Sequence, residues 1–237
     1  MIPKTIHLCW FSGDPYPVEI KVCLDSWKRV LPEYTVRLWT YKEAKAIGIG
    51  YIIQALECQK WAFAADVVRF YAVWKYGGVY MDSDIFLYRR FDEFMTGHSF
   101  VTFNEHAHPE RKVFGLQAAF FIGEAGNEFC RMMVDYYRKH NFILEDGTMD
   151  QTISPMIMRQ CAIDHFGYKN VDEEQCLGDI AIYPTKYLSP SKSYARHAEA
   201  FGVHRIYGSW RKRKWGRRLE IRIKHIYHVI KYALLKK

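Results

Sequence analysis

Asp82 and Asp84 interrupt an otherwise apolar run, Val79-Tyr-Met-Asp-Ser-Asp-Ile-Phe-Leu87. If that run is one strand, a period of two puts both carboxylates on one face with Cα atoms roughly 7 Å apart. Two carboxylates that lose hydration side by side repel each other, at a cost of several kcal/mol unless a cation or strong donors compensate. Oxygen donors of this kind suit magnesium, manganese or calcium better than zinc. Upstream, Asp66 and Arg69 are the only charges between Trp61 and Lys75. Three residues apart, they share one side of a helix. A mostly apolar helix keeps two such charges as an internal ion pair or because the site uses them. The bland reading of Asp82 and Asp84, a solvated Asp-rich turn, fits poorly with the apolar flanks and this upstream pair.

The positioning elements follow from periodicity. Trp61 to Tyr76 reads as a buried helix, ended by Gly77-Gly78, and Val79 to Leu87 as the strand that follows. Before them, Ile2 to Phe11 reads as a buried strand closed by a turn at Ser12 to Pro15, and Val18 to Val30 as a helix stopped at Leu31-Pro32. Tyr34 to Trp39 alternates like a strand, and helical spacing recurs at Lys42 to Ile47 and Ile52 to Leu56. Ser99 to Phe103, Gln117 to Ile122 and Ile180 to Pro184 are further strands; Gly126-Asn127 caps a helix from Glu128 to Lys139, and Pro155 to Cys161 opens another. After Phe103, His106-Ala-His-Pro109 reads as a polar loop; its His106 and His108 could ligate metal, but spacing alone favours solvated side chains. This order predicts an α/β fold with a mostly parallel central sheet flanked by helices. Ligands in such sheets gather beyond the carboxyl ends of the strands, where Trp10 and the Asp82/Asp84 pair fall.

Bulk composition is compatible with one substantial core: 237 residues, 49% apolar and 16% aromatic. Six cysteines with no C-x-x-C pair suggest a reducing, cytoplasmic setting. Neither a secretory core nor an uncharged apolar run of about 18 residues is present, so the body is expected to be soluble. The net charge of +8 misleads, because residues 211–237 carry eleven Lys and Arg against Glu220 alone, leaving 23 basic and 25 acidic residues before them. In that tail Leu219, Ile223, Ile226, Ile230 and Leu234 recur at helical spacing with cations opposite. We expect residues 1–208 to form the catalytic domain. Residues 209–237 should form a basic amphipathic helix on an anionic membrane surface, at the inner face of the cell membrane. Nucleic acid is the less favoured partner, and packing on the body is the remaining rival.

Asp66-Val-Val-Arg69, followed by Tyr76-Gly-Gly-Val-Tyr-Met-Asp-Ser-Asp84, resembles the DxxR…GGxYxDxD signature of glycosyltransferase family 32. The opening Ile2-Pro-Lys-Thr-Ile-His-Leu-Cys-Trp10 is similar to that family's first strand, with Gly13 one position late. Phe201-Gly-Val-His204 to Gly208-Ser209-Trp210 is similar to its closing H…GSW. The resemblance implies a GT-A fold, a nucleotide-sugar donor, Mn²⁺ or Mg²⁺ held through the D-x-D, and retention of anomeric configuration. It implies that Trp10 lies against the base, where an aromatic face stacks with little sequence demand. Asp66 would hold donor-sugar hydroxyls, and Arg69 would sit near the diphosphate or sugar. Asp82, with Ser83 beside it, would contact the ribose and a metal-bound water, and Asp84 would ligate the metal. His204 or Ser209 would complete its coordination while Trp210 covers the leaving group. Ile153-Ser154-Pro155 stands where relatives often carry TGP, although Asp150 and Gln151 could still meet sugar hydroxyls. The implied activity moves a sugar from UDP-hexose or UDP-N-acetylhexosamine, with GDP-mannose as the other donor. The acceptor would be a glycan or lipid-linked saccharide in bacterial surface or capsular polysaccharide synthesis. Neutralising the departing diphosphate with metal and fixed donors is the chemical demand. No lone carboxylate stands out as a general base. Two other classes remain: a metal-dependent phosphohydrolase using Asp82 and Asp84, disfavoured by Phe86 at plus two, and a polyanion-binding module acting through the tail.

Overall fold

Strand residues alternate between two cores. Tyr80, Phe100, Phe121, Ile180 and Ile182 enter one, while Val79, Met81, Val101, Phe103, Phe120, Ile122 and Ala181 enter the other. A sheet buried on both faces needs cover on both faces, and the chain supplies it. The structure, a computed structural model, describes residues 1–108, 113–190 and 199–206. In chain order these form β1 (Thr5–Cys9), α1 (Val18–Val30), β2 (Thr35–Trp39), α2 (Tyr41–Ala46), α3 (Gly50–Glu57), α4 (Trp61–Tyr76), β3 (Gly78–Met81) and β4 (Ile85–Leu87). There follow β5 (Phe100–His108), β6 (Val113–Leu116), β7 (Phe120–Gly123), α5 (Glu128–Arg138), α6 (Ser154–Phe166), β8 (Gln175–Leu177), β9 (Ile180–Tyr183), β10 (Leu188–Pro190) and β11 (Gly202–His204).

The main sheet runs β2-β1-β3-β7-β5-β9-β8, with β6 paired to β5. Strands β1, β2, β3, β5 and β9 point one way; β6, β7 and β8 oppose them. The expected mostly parallel α/β sheet is therefore present. Helices α3, α4, α5 and α6 supply the core on one face, and Trp27 of α1 joins the other. A small second sheet, β10-β11-β4, stands beside it.

The predicted strand from Val79 to Leu87 is two strands in two sheets. After Met81 the Asp82 N–H still bonds the Ala119 carbonyl at 2.8 Å, but the Ile85 N–H then turns back to the Asp82 carbonyl at 3.0 Å. β4 leaves to join β11, and Asp82 to Asp84 form the turn between the sheets. Apolar residues on both sides of that turn imitate one strand because each half is buried in its own right. β4 is fastened to α1, where Trp27 Nε1 donates to the Ile85 carbonyl at 2.7 Å and the Leu87 N–H donates to Ser26 Oγ at 3.0 Å.

β5 is also longer than predicted, continuing through His108 against β6 rather than ending at Phe103. Asn127 caps α5 by accepting from the Cys130 N–H, as expected. The six cysteines are free thiols. Met1–Ile206 is one compact unit. Ser209, Trp210 and the expected basic helix of 211–237 lie outside the described residues. None of the helices among those described is long and apolar enough to cross a membrane.

Candidate active site

The two glycines between α4 and β3 bring helix and strand close enough to build the site. Gly77 and Gly78 have φ of +64° and +111°, and a Cβ on Gly78 would stand 2.5 Å from the Thr5 carbonyl oxygen of β1. Only glycine fits that approach. Behind it, buried His7 bridges the turn to β2: its Nε2 lies 2.9 Å from the Gly77 carbonyl, and Trp39 Nε1 donates to its Nδ1 at 3.2 Å. That pattern fixes the neutral tautomer with the proton on Nε2.

Arg69 projects from α4 toward the start of the Asp82 turn. Its guanidinium pairs with Asp66 at 2.9 Å, donates to the Ala118 carbonyl at 2.7 Å and to the Ala65 carbonyl at 3.1 Å, and lies 3.7 Å from Asp82 Oδ1. Its plane also sits over the Tyr80 ring at 4.9 Å, and the Tyr80 hydroxyl donates to Asp82 Oδ1 at 2.6 Å. Burial opposes the charge on Arg69, and the surrounding Tyr80, Asp82 and Asp66 outweigh it, keeping the guanidinium protonated. Burial pushes Asp66 up to about 7 against the pull of Arg69. The internal ion pair considered from the sequence thus exists, and it extends to the D-x-D.

On the other side of the turn, the register of the small sheet sets Ile85 opposite His204. His204 Nε2 therefore meets Asp84 Oδ1 at 3.4 Å, while its Nδ1 lies 3.9 Å from Glu105 Oε1 on β5. Donor atoms of Asp82, Asp84 and His204 lie within 4.8 Å of one another. Two carboxylates and an imidazole at that spacing are a donor set for a divalent cation. Burial works against a charged His204, and Asp84, Glu105 and Asp82 override it, raising it to about 9. Burial raises Glu105 above the usual carboxylate range, His204 opposing. The acids hold a positive charge on the imidazole that sits between them, so the residues present fit a metal.

Trp10 follows β1 at its carboxyl end. Its indole N–H donates to the Asp14 carbonyl at 2.8 Å and its ring centroid is 4.8 Å from that of Tyr16. Ser83 is half-buried at the tip of the turn. Asp66, Arg69, Asp82 and Asp84, with His204, are thus gathered at the carboxyl ends of the parallel strands. Sequence reasoning missed Glu105, because the segment around it reads as a polar loop. The available signal was period two, since Val101, Phe103 and Glu105 share a strand face.

With this geometry in view, the architecture is a GT-A-type glycosyltransferase fold. The PaToxG glycosyltransferase superposes with a TM-score of 0.52 at 16% identity, over 70% of each chain. The chain belongs to the capsular polysaccharide synthesis protein family, whose model matches residues 1–176. It is also 31% identical over 98 residues to inositol phosphoceramide mannosyltransferase 3 of Schizosaccharomyces pombe. That match covers 38% of this chain and 26% of the relative's own length. The galactosyltransferase LgtC, solved with donor and acceptor sugar analogs, aligns over 92% of this chain and 94% of its own at 10% identity, with a TM-score of 0.47. The resemblance to glycosyltransferase family 32 read from the sequence holds.

Proposed function

We propose that the protein is a metal-dependent glycosyltransferase moving a sugar from a nucleotide-sugar donor to a glycan or lipid-linked saccharide. UDP-hexose or UDP-N-acetylhexosamine is the favoured donor, GDP-mannose the alternative. The observation that carries the reading is the convergence of Asp82, Asp84 and His204 within 4.8 Å at the carboxyl ends of the parallel strands. Bound there, Mn²⁺ or Mg²⁺ would supply positive charge to the leaving diphosphate.

The chain's own residues do the rest. Arg69 holds Asp66 and Asp82 in place, leaving Asp66 positioned for donor-sugar hydroxyls and Asp82 for the ribose. Ser83, at the turn's tip, faces the nucleotide, and Trp10 offers its ring to the base. Retention and a role in surface or capsular polysaccharide synthesis rest on the resemblance. Ser209 and Trp210 are assigned to the leaving group, and residues 211–237 to an anionic membrane surface, on the sequence alone. The acceptor end is read at the open groove of about 660 Å³ lined by Tyr136, His140, Asp146, Asp150 and Thr152. Tyr136 and His140 stack there at 4.0 Å, and Tyr51 donates to Asp150 at 3.3 Å. Ring faces beside carboxylates suit a saccharide.

The test is calorimetric titration of UDP, GDP and their sugars with Mn²⁺ present and absent, on the native chain and on Asp84→Asn. Metal-dependent binding of one nucleotide class, lost in the variant, is expected. Equal binding without Mn²⁺, or by Asp84→Asn, overturns the reading.

A further inference from the structure

We propose that Glu105 is a positioning residue that accepts a hydrogen bond from the Nδ1–H of His204 and so presents Nε2, with Asp82 and Asp84, to a divalent cation. The inference rests on the metal-site reading above and adds a residue to it. A neutral imidazole carries one proton. Nε2 is the nitrogen on the Asp84 side, at 3.4 Å, so a cation held among these groups requires its lone pair there. The proton must then reside on Nδ1. That atom is buried and has no hydrogen-bond partner among the described residues. A buried N–H left so is costly, and Glu105 Oε1 lies 3.9 Å away. A small rotation of ring or carboxylate closes that gap to a hydrogen bond. Glu105 stands on the opposite nitrogen from Asp84, so it orients the ligand instead of joining the coordination group. Pairing with β6, where Glu105 is held opposite Gly115, fixes the backbone from which the carboxylate reaches toward His204. A carboxylate behind a ligating histidine fixes its tautomer and orientation.

Mn²⁺ binding is measured by the paramagnetic resonance signal of free Mn²⁺, without substrate, on the full chain. The variants are Glu105→Ala, Glu105→Gln, His204→Ala, Asp84→Asn and the double variant Glu105→Ala/His204→Ala. Glu105→Ala should weaken Mn²⁺ roughly 10- to 100-fold, with Glu105→Gln in between because its amide oxygen still accepts. Removing Glu105 from the His204→Ala background should change affinity by less than about twofold, the non-additivity expected of coupled residues. With ¹⁵N-histidine and Mg²⁺ at a concentration that just loads the native chain, the signal absent from His204→Ala should report an Nδ1-protonated ring, and Glu105→Ala should need roughly 10- to 100-fold more Mg²⁺ to show it. Thermal unfolding guards against a folding defect, and Glu105→Gln is the variant that keeps its shape if Glu105→Ala does not fold. Native-like Mn²⁺ affinity in both Glu105 variants, with Asp84→Asn weakened, overturns this inference alone. So does an equal loss with and without His204, which would mark a through-space charge effect. If the native chain takes up no Mn²⁺, the metal reading and this inference fall together.

Discussion

The two sides of the Asp82–Asp84 turn are built to different standards. On the α4 side, Arg69 spends its donors on Asp66, Ala65 and Ala118 and lies over Tyr80, which itself donates to Asp82. On the β11 side, His204 stands 3.4 Å from Asp84 and 3.9 Å from Glu105, with Nδ1 unpartnered. One side is a finished network in which buried charges are paired and bonded. The other, among the described residues, gathers three acids around one imidazole at a spacing that suits a cation. The contrast teaches that local stability and ligand demand are separable here, and substitutions should separate them.

The largest effect is expected on the finished side. Arg69→Met removes the only cation contacting Asp66 and Asp82 among the described residues, leaving buried carboxylates uncompensated. Breaking such a pair costs about 3 to 5 kcal/mol, read as a drop in urea unfolding midpoint. On the open side, Asp84→Asn should reduce transfer by on the order of 10²- to 10³-fold through loss of leaving-group stabilisation, while unfolding shifts far less than in Arg69→Met. If the two variants lose stability equally, the contrast between the sides is wrong.

The support behind the glycine turn gives a pH-dependent version of the same comparison. Burial lowers His7 from 6.5 to about 4, its bond to the Gly77 carbonyl opposing only in part. The unfolded chain therefore takes up a proton near 6.5 while the folded chain resists until about 4. The contribution of His7 is full above that window and is lost as pH falls through it, by up to about 3 kcal/mol. His7→Gln keeps a donor toward Gly77 and cannot titrate. Its unfolding free energy should fall less steeply between pH 6.5 and 4 than the native chain's; parallel curves would remove His7 from the support.

Much of this was legible in the chain. The order of strands and helices, the Asn127 cap and the gathering of Asp66, Arg69, Asp82 and Asp84 follow from periodicity and from the cost of buried charge. The short strands β6, β8, β10 and β11 were not, and two further misses bear on the site. Ile85 to Leu87 is apolar because a second sheet buries it, and no local pattern tells a new sheet from a continued strand. Glu105 is polar at the end of an apolar strand, which locally reads as the start of a loop. Only its pairing partner β6 and the distant His204, 99 residues on, give it a place. Non-local pairing, absent from any short window, accounts for these misses.

Trp10 sharpens the comparison at its weakest point, because it touches neither side of the turn. Its indole N–H is held by the Asp14 carbonyl, its ring packs on Tyr16 and its backbone N–H bonds the Trp39 carbonyl at 3.0 Å, so β2 and the loop after β1 present the ring. If the base stacks there, Trp10→Ala removes an interaction of about 1 to 3 kcal/mol, a rise of roughly 10- to 100-fold in the dissociation constant for the nucleotide. Mn²⁺ affinity without nucleotide should not change, since Trp10 supplies none of the donors gathered among the described residues. Trp10→Phe keeps an aromatic face and should recover most of the loss. A Trp10→Ala chain that binds nucleotide normally would assign the ring to packing, and one that loses Mn²⁺ as well would mean that the opening strand and the acidic turn are one unit.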